Sequence, residues 1–413
     1  MSPSPRVAIL LAATAFLAFV SPLVAIWAAL LVVAATLIDA LLVARTPTVR
    51  RFVNPTQSRG VESYFRVEVG ESRGSVVVRQ PIPTGLAIEP SQADGTFEGT
   101  IRPIIRGRII LPPVAVRLSG PMGLGRWTRS TGGYLELRSY PDLPKARSIA
   151  ARVKRGAFVP EGQRKSPLRG MGSDFDAVRE YHPEDDIRLI NWRASARLAR
   201  PMVNQYRLEN NHDLLVVVDA GRLMMAPLQG RTRLDASLDA VTALASSADA
   251  LGDRIGAVAF DFAVRYRVPP RRDQGRMIVN ALHALQGTMA ESDYDVAFRA
   301  VDRRKRCMVV ILTDFVDEQA AKSLLKAVPI YTRHHAVIVA ACTDTDVKSA
   351  MATTPQAGMD VARMAIASTV QNDRLRVAKL LRRAGARVIE APPERLPAAL
   401  VRQFLDVRAR QNG

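Results

Sequence analysis

The sequence predicts an α/β protein: a doubly wound, mostly parallel sheet preceded by a small β-rich domain and a two-helix transmembrane hairpin. Three observations carry this prediction. Val7 to Val43 is almost continuously apolar. Residues 60–140 break into short β-type runs punctuated by Gly and Pro. From Asp213 onward, apolar runs without internal charge alternate with stretches of helical period. The 413 residues divide accordingly into 1–51 (hairpin), 52–141 (β-rich spacer), 142–212 (basic linker and a polar signature segment) and 213–413 (α/β domain).

In the hairpin, Ser21-Pro22 interrupts the apolar run and Asp39 is its only charge. One helix across the whole run would overshoot a hydrocarbon core of roughly 30 Å, so Pro22 marks a turn between two spans. Arg6 precedes the first span, and Arg45, Arg50 and Arg51 follow the second. Positive flanks on both sides place both ends, and everything after residue 50, in the cytoplasm of a bacterial inner membrane. A cleaved signal peptide ending near Val20 is the competing reading. Against it, Leu23–Val43 is itself long enough to span, and no Ala-x-Ala site with a polar start intervenes. A single span with a re-entrant leader is a third possibility.

Strands are predicted at Tyr64–Val69, Ser75–Val78, Thr100–Ile105, Arg108–Leu111, Val114–Leu118 and Tyr134–Arg138, as in a small sandwich. Residues 142–168 are basic and read as an exposed linker. In the carboxyl half, strands are predicted at Leu214–Asp219, Ile255–Phe260, Val264–Val268, Cys307–Asp314, His335–Ala341 and Arg387–Glu390, with helices between most of them. Such a sheet is buried on both faces and binds ligands at the carboxyl edge of its strands. Two acids fall there, Asp219 and Asp314.

The densest polar stretch is Gly170–Arg197, GMGSDFDAVREYHPEDDIRLINWRASAR. Asp174, Asp176, Glu180, Asp185 and Asp186 alternate with Arg179, Arg188, Arg193 and Arg197. Arginine–carboxylate forks are directional. One reading makes the segment a latch onto the α/β domain, with Tyr181 and Trp192 as packing anchors. The other makes Arg188, Asn191, Arg193 and Arg197 a surface for a partner, since Arg and Trp are frequent hot-spot residues.

The net charge is +19. Nucleic acid is disfavoured as its partner because the arginines are spread along the chain without stacking aromatics. Anionic lipid at the inner leaflet explains the basic linker. The two cysteines, Cys307 and Cys342, lie in apolar runs and read as reduced core residues. The five histidines make no metal-ligand spacing, and neither a GxSxG elbow nor a phosphate-binding GxxxxGK[ST] loop occurs. No catalytic constellation and no cofactor motif is present, so an enzyme is not predicted.

The acid that ends the first α/β strand, together with ILTD ending a later one, is similar to the von Willebrand factor type A fold. There, a metal-ion-dependent adhesion site uses an Asp-x-Ser-x-Ser turn, a distant Thr and the Asp of a later strand. Here Asp219 is followed by Ala220, Gly221, Arg222 and Leu223, so both turn serines are missing. The resemblance leaves Asp219, Asp314 and Ser292 (Thr288 as the other choice) as candidate ligands for Mg²⁺. Otherwise Asp219 and Asp314 are paired acids held by Arg222 or by backbone amides. The longer match is the signature: Gly172, Asp174-Phe175, Arg179-Glu180-Tyr181, Asp185-Asp186, Arg188, Ile190-Asn191-Trp192 and Ser195-Ala196-Arg197 resemble the domain of unknown function 58 family. That resemblance implies a membrane-anchored protein–protein interaction module, an adaptor working with a MoxR-type AAA+ ATPase in assembly, maturation or envelope stress. A divalent-metal-dependent hydrolase and a nucleic-acid-binding protein are the alternatives.

Overall fold

The computed structural model describes residues 2–19, 21–156, 174–182, 189–207, 213–301, 306–316, 318–319 and 321–411. The chain is a mixed α/β structure in two compact units, Met1–Asp142 and Leu143–Gly413.

The first unit opens with helices Pro5–Leu17 and Pro22–Leu42. Each starts on a proline, whose missing N–H would have no intrahelical partner there anyway. Pro22, read from the sequence as a turn, is thus the first residue of the second helix. Among the described residues, only Pro22–Leu42 is long and apolar enough to cross a membrane, with a mean hydropathy of 2.4. Pro5–Leu17 has 13 residues.

Three sheets follow. In the largest, Val114–Ser119 lies between Gly125–Thr131 and Ser75–Arg79, all antiparallel. A second sheet orders Val49–Val53, Ser63–Val69, Phe97–Pro103 and Leu86–Glu89. A third orders Thr56–Ser58, Leu135–Tyr140 and Gly107–Leu111. Alternation builds the core: Val114, Val116 and Leu118 are buried while Arg117 between them is exposed. They join Phe65, Val67, Ile101, Leu111 and Leu137 in one cluster.

The second unit is built on a six-stranded sheet in the order Val264–Arg271, Arg254–Phe260, Asp213–Asp219, Met308–Leu312, Ala336–Cys342 and Arg387–Ala391. All neighbours are parallel except the first pair. Leu215 and Val217 face a cluster that includes Phe298, Leu324, Val328, Tyr331, Val377 and Leu381, drawn from three helices. The Arg233–Leu251 helix packs along Asp213–Asp219 as well. It starts on a capping box in which Thr232 and Asp235 satisfy each other's amides, and stops at Gly252, whose φ of 75° favours glycine.

One stretch read from the sequence as exposed linker contains a helix instead, Leu143–Lys154. Ala146, Ile149, Ala150 and Val153 form its buried face at positions i, i+3, i+4 and i+7. Ala146, Ile149 and Val153 meet Ala243 and Val401 in a satellite core. The surrounding Lys and Arg residues hid that stripe.

Candidate functional site

Adjacent parallel strands bring two acids to the carboxyl edge of the sheet. Val218 pairs with Leu312, so Asp219 ends one strand beside Thr313-Asp314, which follow the other. Both carboxylates are buried, at 1% and 3% exposure.

Asp219 is held by hydrogen-bond donors. Its Oδ1 accepts from the Gly221 amide at 2.8 Å and from Ser292 Oγ. Its Oδ2 accepts from Thr313 Oγ1 at 2.7 Å, with Tyr294 OH at 3.1 Å. Tyr294 has one proton and a nearer acceptor in Thr313 Oγ1 at 2.6 Å, so the two hydroxyls form a relay onto the carboxylate. Local sequence sets this up. Asp293 caps the Tyr294–Arg299 helix, accepting from the amides of Asp295 and Val296. The residues on either side of the cap, Ser292 and Tyr294, both reach Asp219. Burial raises the Asp219 carboxyl above its ordinary range, against the lowering effect of Ser292 and Thr313. Burial, then the Asp219 charge, pushes the Tyr294 phenol well above 10, so it remains protonated.

Asp314 is held by two cations. Arg374 Nη1 lies 2.7 Å from its Oδ1 and Arg233 Nη1 2.6 Å from its Oδ2. Both guanidiniums are themselves buried, Arg374 at 5% and Arg233 at 9% exposure. Arg374 also donates to the Cys342 carbonyl at 3.0 Å and sits 5.2 Å from the Phe315 ring centre, a cation–π distance. Asp344 lies 3.3 Å from Arg233. Arg222 is elsewhere: half-exposed, 3.6 Å from Glu291. Thr288 donates to Asp261, not to Asp219. Outside the acid pair lies a cavity of about 320 Å³ lined by Asp219, Arg222, Glu291, Ser292, Tyr294 and Gln319.

The structure therefore brings Ser292 onto Asp219 and gives Asp314 a separate, arginine-filled environment. Sequence reasoning missed Thr313, Tyr294, Arg233 and Arg374. For Arg374 a signal existed, because it shares one helical face with the buried Val377, Ala378 and Leu381.

The cysteines are free and buried. The Cys342 thiol is pushed up to about 12 by burial and by the Asp314 charge. Since the thiolate is the reactive form, a disulfide-exchange reagent should titrate neither cysteine in the folded protein and both after denaturation. Rapid labelling of the folded chain would contradict the packing described.

The signature segment has a different character. Asp174–Glu180 and Met202–Arg207 form an antiparallel pair, with Asp174 opposite Arg207. Asp186 and Arg188 lie outside the described residues. Arg179 and Tyr181 are half-buried; the Tyr181 amide donates to Pro201 O. Asn191 is scaffolding. Its Oδ1 caps the Trp192–Leu198 helix through the Ala194 amide at 3.0 Å, and its Nδ2 donates to Asn204 at 2.8 Å. Ser195 Oγ donates to Asn191 O and accepts from the Met202 amide. Thus pinned, the helix presents Trp192 at 72% and Leu198 at 52% exposure, with Arg193 and Arg197 also exposed.

Residues 177–365 match the family model described as protein of unknown function DUF58. That stretch of the chain is similar to the DUF58 family. The matched stretch contains Asn191, Trp192, Asp219, Arg233, Ser292 and Asp314, and Arg374 lies beyond its end. Uncharacterised proteins of Mycobacterium bovis and Mycobacterium tuberculosis are 30% identical over 202 residues, which is 46% of this chain and 61% of theirs. The chain thus spans 61% of the length of the curated relatives it matches. Among solved structures, an uncharacterised membrane-spanning protein from Vibrio fischeri aligns with 47% of this chain and 97% of its own, at 14% identity and a TM-score of 0.18. A cohesin module from a Clostridium perfringens family 33 glycoside hydrolase aligns with 24% of this chain and 98% of its own, at 9% identity and a TM-score of 0.17. The described residues hold no group of three or more His, Cys, Asp or Glu side chains arranged for a metal.

Proposed function

We propose that this chain is a membrane-anchored protein-interaction module, with a von Willebrand factor A-like α/β domain, acting as adaptor for a MoxR-type AAA+ ATPase. The observation that carries this reading is the pinned Trp192–Leu198 helix. Asn191 and Ser195 spend their hydrogen bonds on holding it, while Trp192, Arg193, Arg197 and Leu198 point to solvent. An exposed Trp flanked by arginines is the composition of an interface hot spot, and folding alone gives no reason to leave it uncovered.

Two further observations support the arrangement. The amino-terminal strand Ser2–Pro3 pairs with Gly125–Thr131, and Ala40, near the end of the second helix, accepts from Trp127 of that same strand at 2.8 Å. The outer ends of both helices therefore meet one strand, as in a two-span hairpin whose ends share the cytoplasmic side, with the basic flanks against anionic lipid. The order of the six-stranded sheet, with one antiparallel edge and acids at the central strand ends, supports the A-like reading. The ATPase follows from the family resemblance.

Crosslinking in native membranes, with quantification of the MoxR-type ATPase recovered, tests the proposal. Trp192→Ala should lower recovery roughly tenfold or more. It should change folding stability by no more than about 0.5 kcal/mol, as for an exposed side chain. Equal recovery with the variant, or recovery of nucleic acid in place of the ATPase, would sink the adaptor reading.

A further inference from the structure

A divalent cation at the strand ends is what the A-type resemblance implies, and the residues present do not fit one. Mg²⁺ requires close to six oxygen ligands at about 2.0–2.1 Å in octahedral array. Each oxygen of both carboxylates is already engaged. Asp219 Oδ1 takes the Gly221 amide and Ser292, and its Oδ2 takes Thr313. Asp314 Oδ1 takes Arg374, and its Oδ2 takes Arg233. The turn after Asp219 offers no hydroxyl. At position 221 it has no space for one, because a Cβ there would lie 2.1 Å from Ser292 Oγ and 2.9 Å from Ala290 O. An ion entering beside Asp314 would have to displace a guanidinium or sit against two positive charges in a buried site, where screening is weak.

We infer that the buried guanidiniums of Arg233 and Arg374 take the place of the divalent cation at Asp314, so that this face of the domain is cation-independent. The inference rests on the A-like reading of the α/β unit and deepens it. A guanidinium supplies the positive charge that a buried carboxylate requires, and it does so bonded to the chain. Being covalently part of the chain, it cannot be removed by a chelator. Whatever the 320 Å³ cavity beside Asp219 receives, it receives through Arg222, Glu291, Ser292 and Gln319, without a metal bridge.

The test uses the full chain in detergent micelles. Calorimetric titration with Mg²⁺ and Mn²⁺ should give no saturable heat, and the melting temperature should be the same in chelator and in millimolar divalent ion. Saturable binding that disappears in Asp219→Asn would overturn the inference. A double-mutant cycle reads the charge replacement directly. Arg374→Met should lower the melting temperature by roughly 6–12 °C, as expected for a buried carboxylate that loses one of its cations. Asp314→Asn in the same chain should recover a large part of that loss. Additive losses in the double variant would show that Arg374 does not answer the Asp314 charge, and would equally overturn the inference. If Arg374→Met does not fold, the ion titration of the unaltered chain still decides. No ATPase is present in either measurement, so their failure is distinguishable from failure of the adaptor reading.

Discussion

Asp39→Leu should destabilise the amino-terminal unit by roughly 3 kcal/mol or more, because it strands three backbone amides at once, two of them buried. Asp39 is fully buried one turn before the end of the Pro22–Leu42 helix. Its Oδ1 accepts from the Met122 amide at 2.9 Å, and its Oδ2 accepts from Leu124 at 2.8 Å and Gly125 at 2.9 Å. An acid at a helix carboxyl terminus opposes the helix dipole, and a charge in an apolar span is costly, so its position calls for compensation. The three amides supply it. The fit is close: a Cβ on Gly125 would lie 2.6 Å from the Ala40 amide nitrogen, and one on Gly120 would lie 2.2 Å from the Asp39 carboxylate. The carboxylate therefore fixes the elbow between the apolar helix and the Pro121–Gly125 turn. Hydrogen exchange at Met122, Leu124 and Gly125 reads the effect directly. Asp39→Leu should abolish their protection, while Asp39→Asn, which keeps one acceptor oxygen, should be intermediate. Full protection in the leucine variant would refute this account of the elbow.

Asp39 also marks where sequence reading stops. A single charge inside an apolar run is visible in the sequence. Its partners are backbone amides some 80 residues away in a Gly-rich turn, and amides carry no side-chain signature. The same divide runs through the α/β unit. Val-rich runs such as LLVVVD and MVVIL declare buried parallel strands, because only a strand covered on both faces tolerates an unbroken apolar run. The strand-end acids were legible for the same reason. The arginines that answer Asp314 were harder to read: Arg374 shares a helical face with buried apolar residues, but it sits among Arg376, Arg382 and Arg383, whose identity it shares while differing in burial. In the signature, residue types were legible but directions were not. Asn191 and Trp192 are neighbours, yet one turns inward to cap a helix and the other turns outward.

Burial on one helix face also governs the second large effect, Ile149→Asp, which should cost the α/β unit about 3 kcal/mol or more. Ile149 is 5% exposed and packs with Ala146, Val153, Ala243 and Val401. Removing the side chain alone costs about 2–5 kcal/mol at a site of this kind. A carboxylate adds the penalty of a buried charge among the apolar side chains of that cluster. Ser148→Asp is the matched control. It adds the same charge one residue earlier, on the exposed face of the same helix, and should shift stability by no more than about 0.5 kcal/mol. Urea unfolding of the two variants separates the possibilities. A linker would tolerate both substitutions alike, and equal midpoints would remove Leu143–Lys154 from the folded unit. A large loss confined to Ile149→Asp makes the helix part of the domain's core. The α/β fold then begins with this basic helix, well before its first central strand, because Leu143–Lys154 and the carboxyl-terminal helix, Leu396–Gln411, both pack against the Arg233–Leu251 helix.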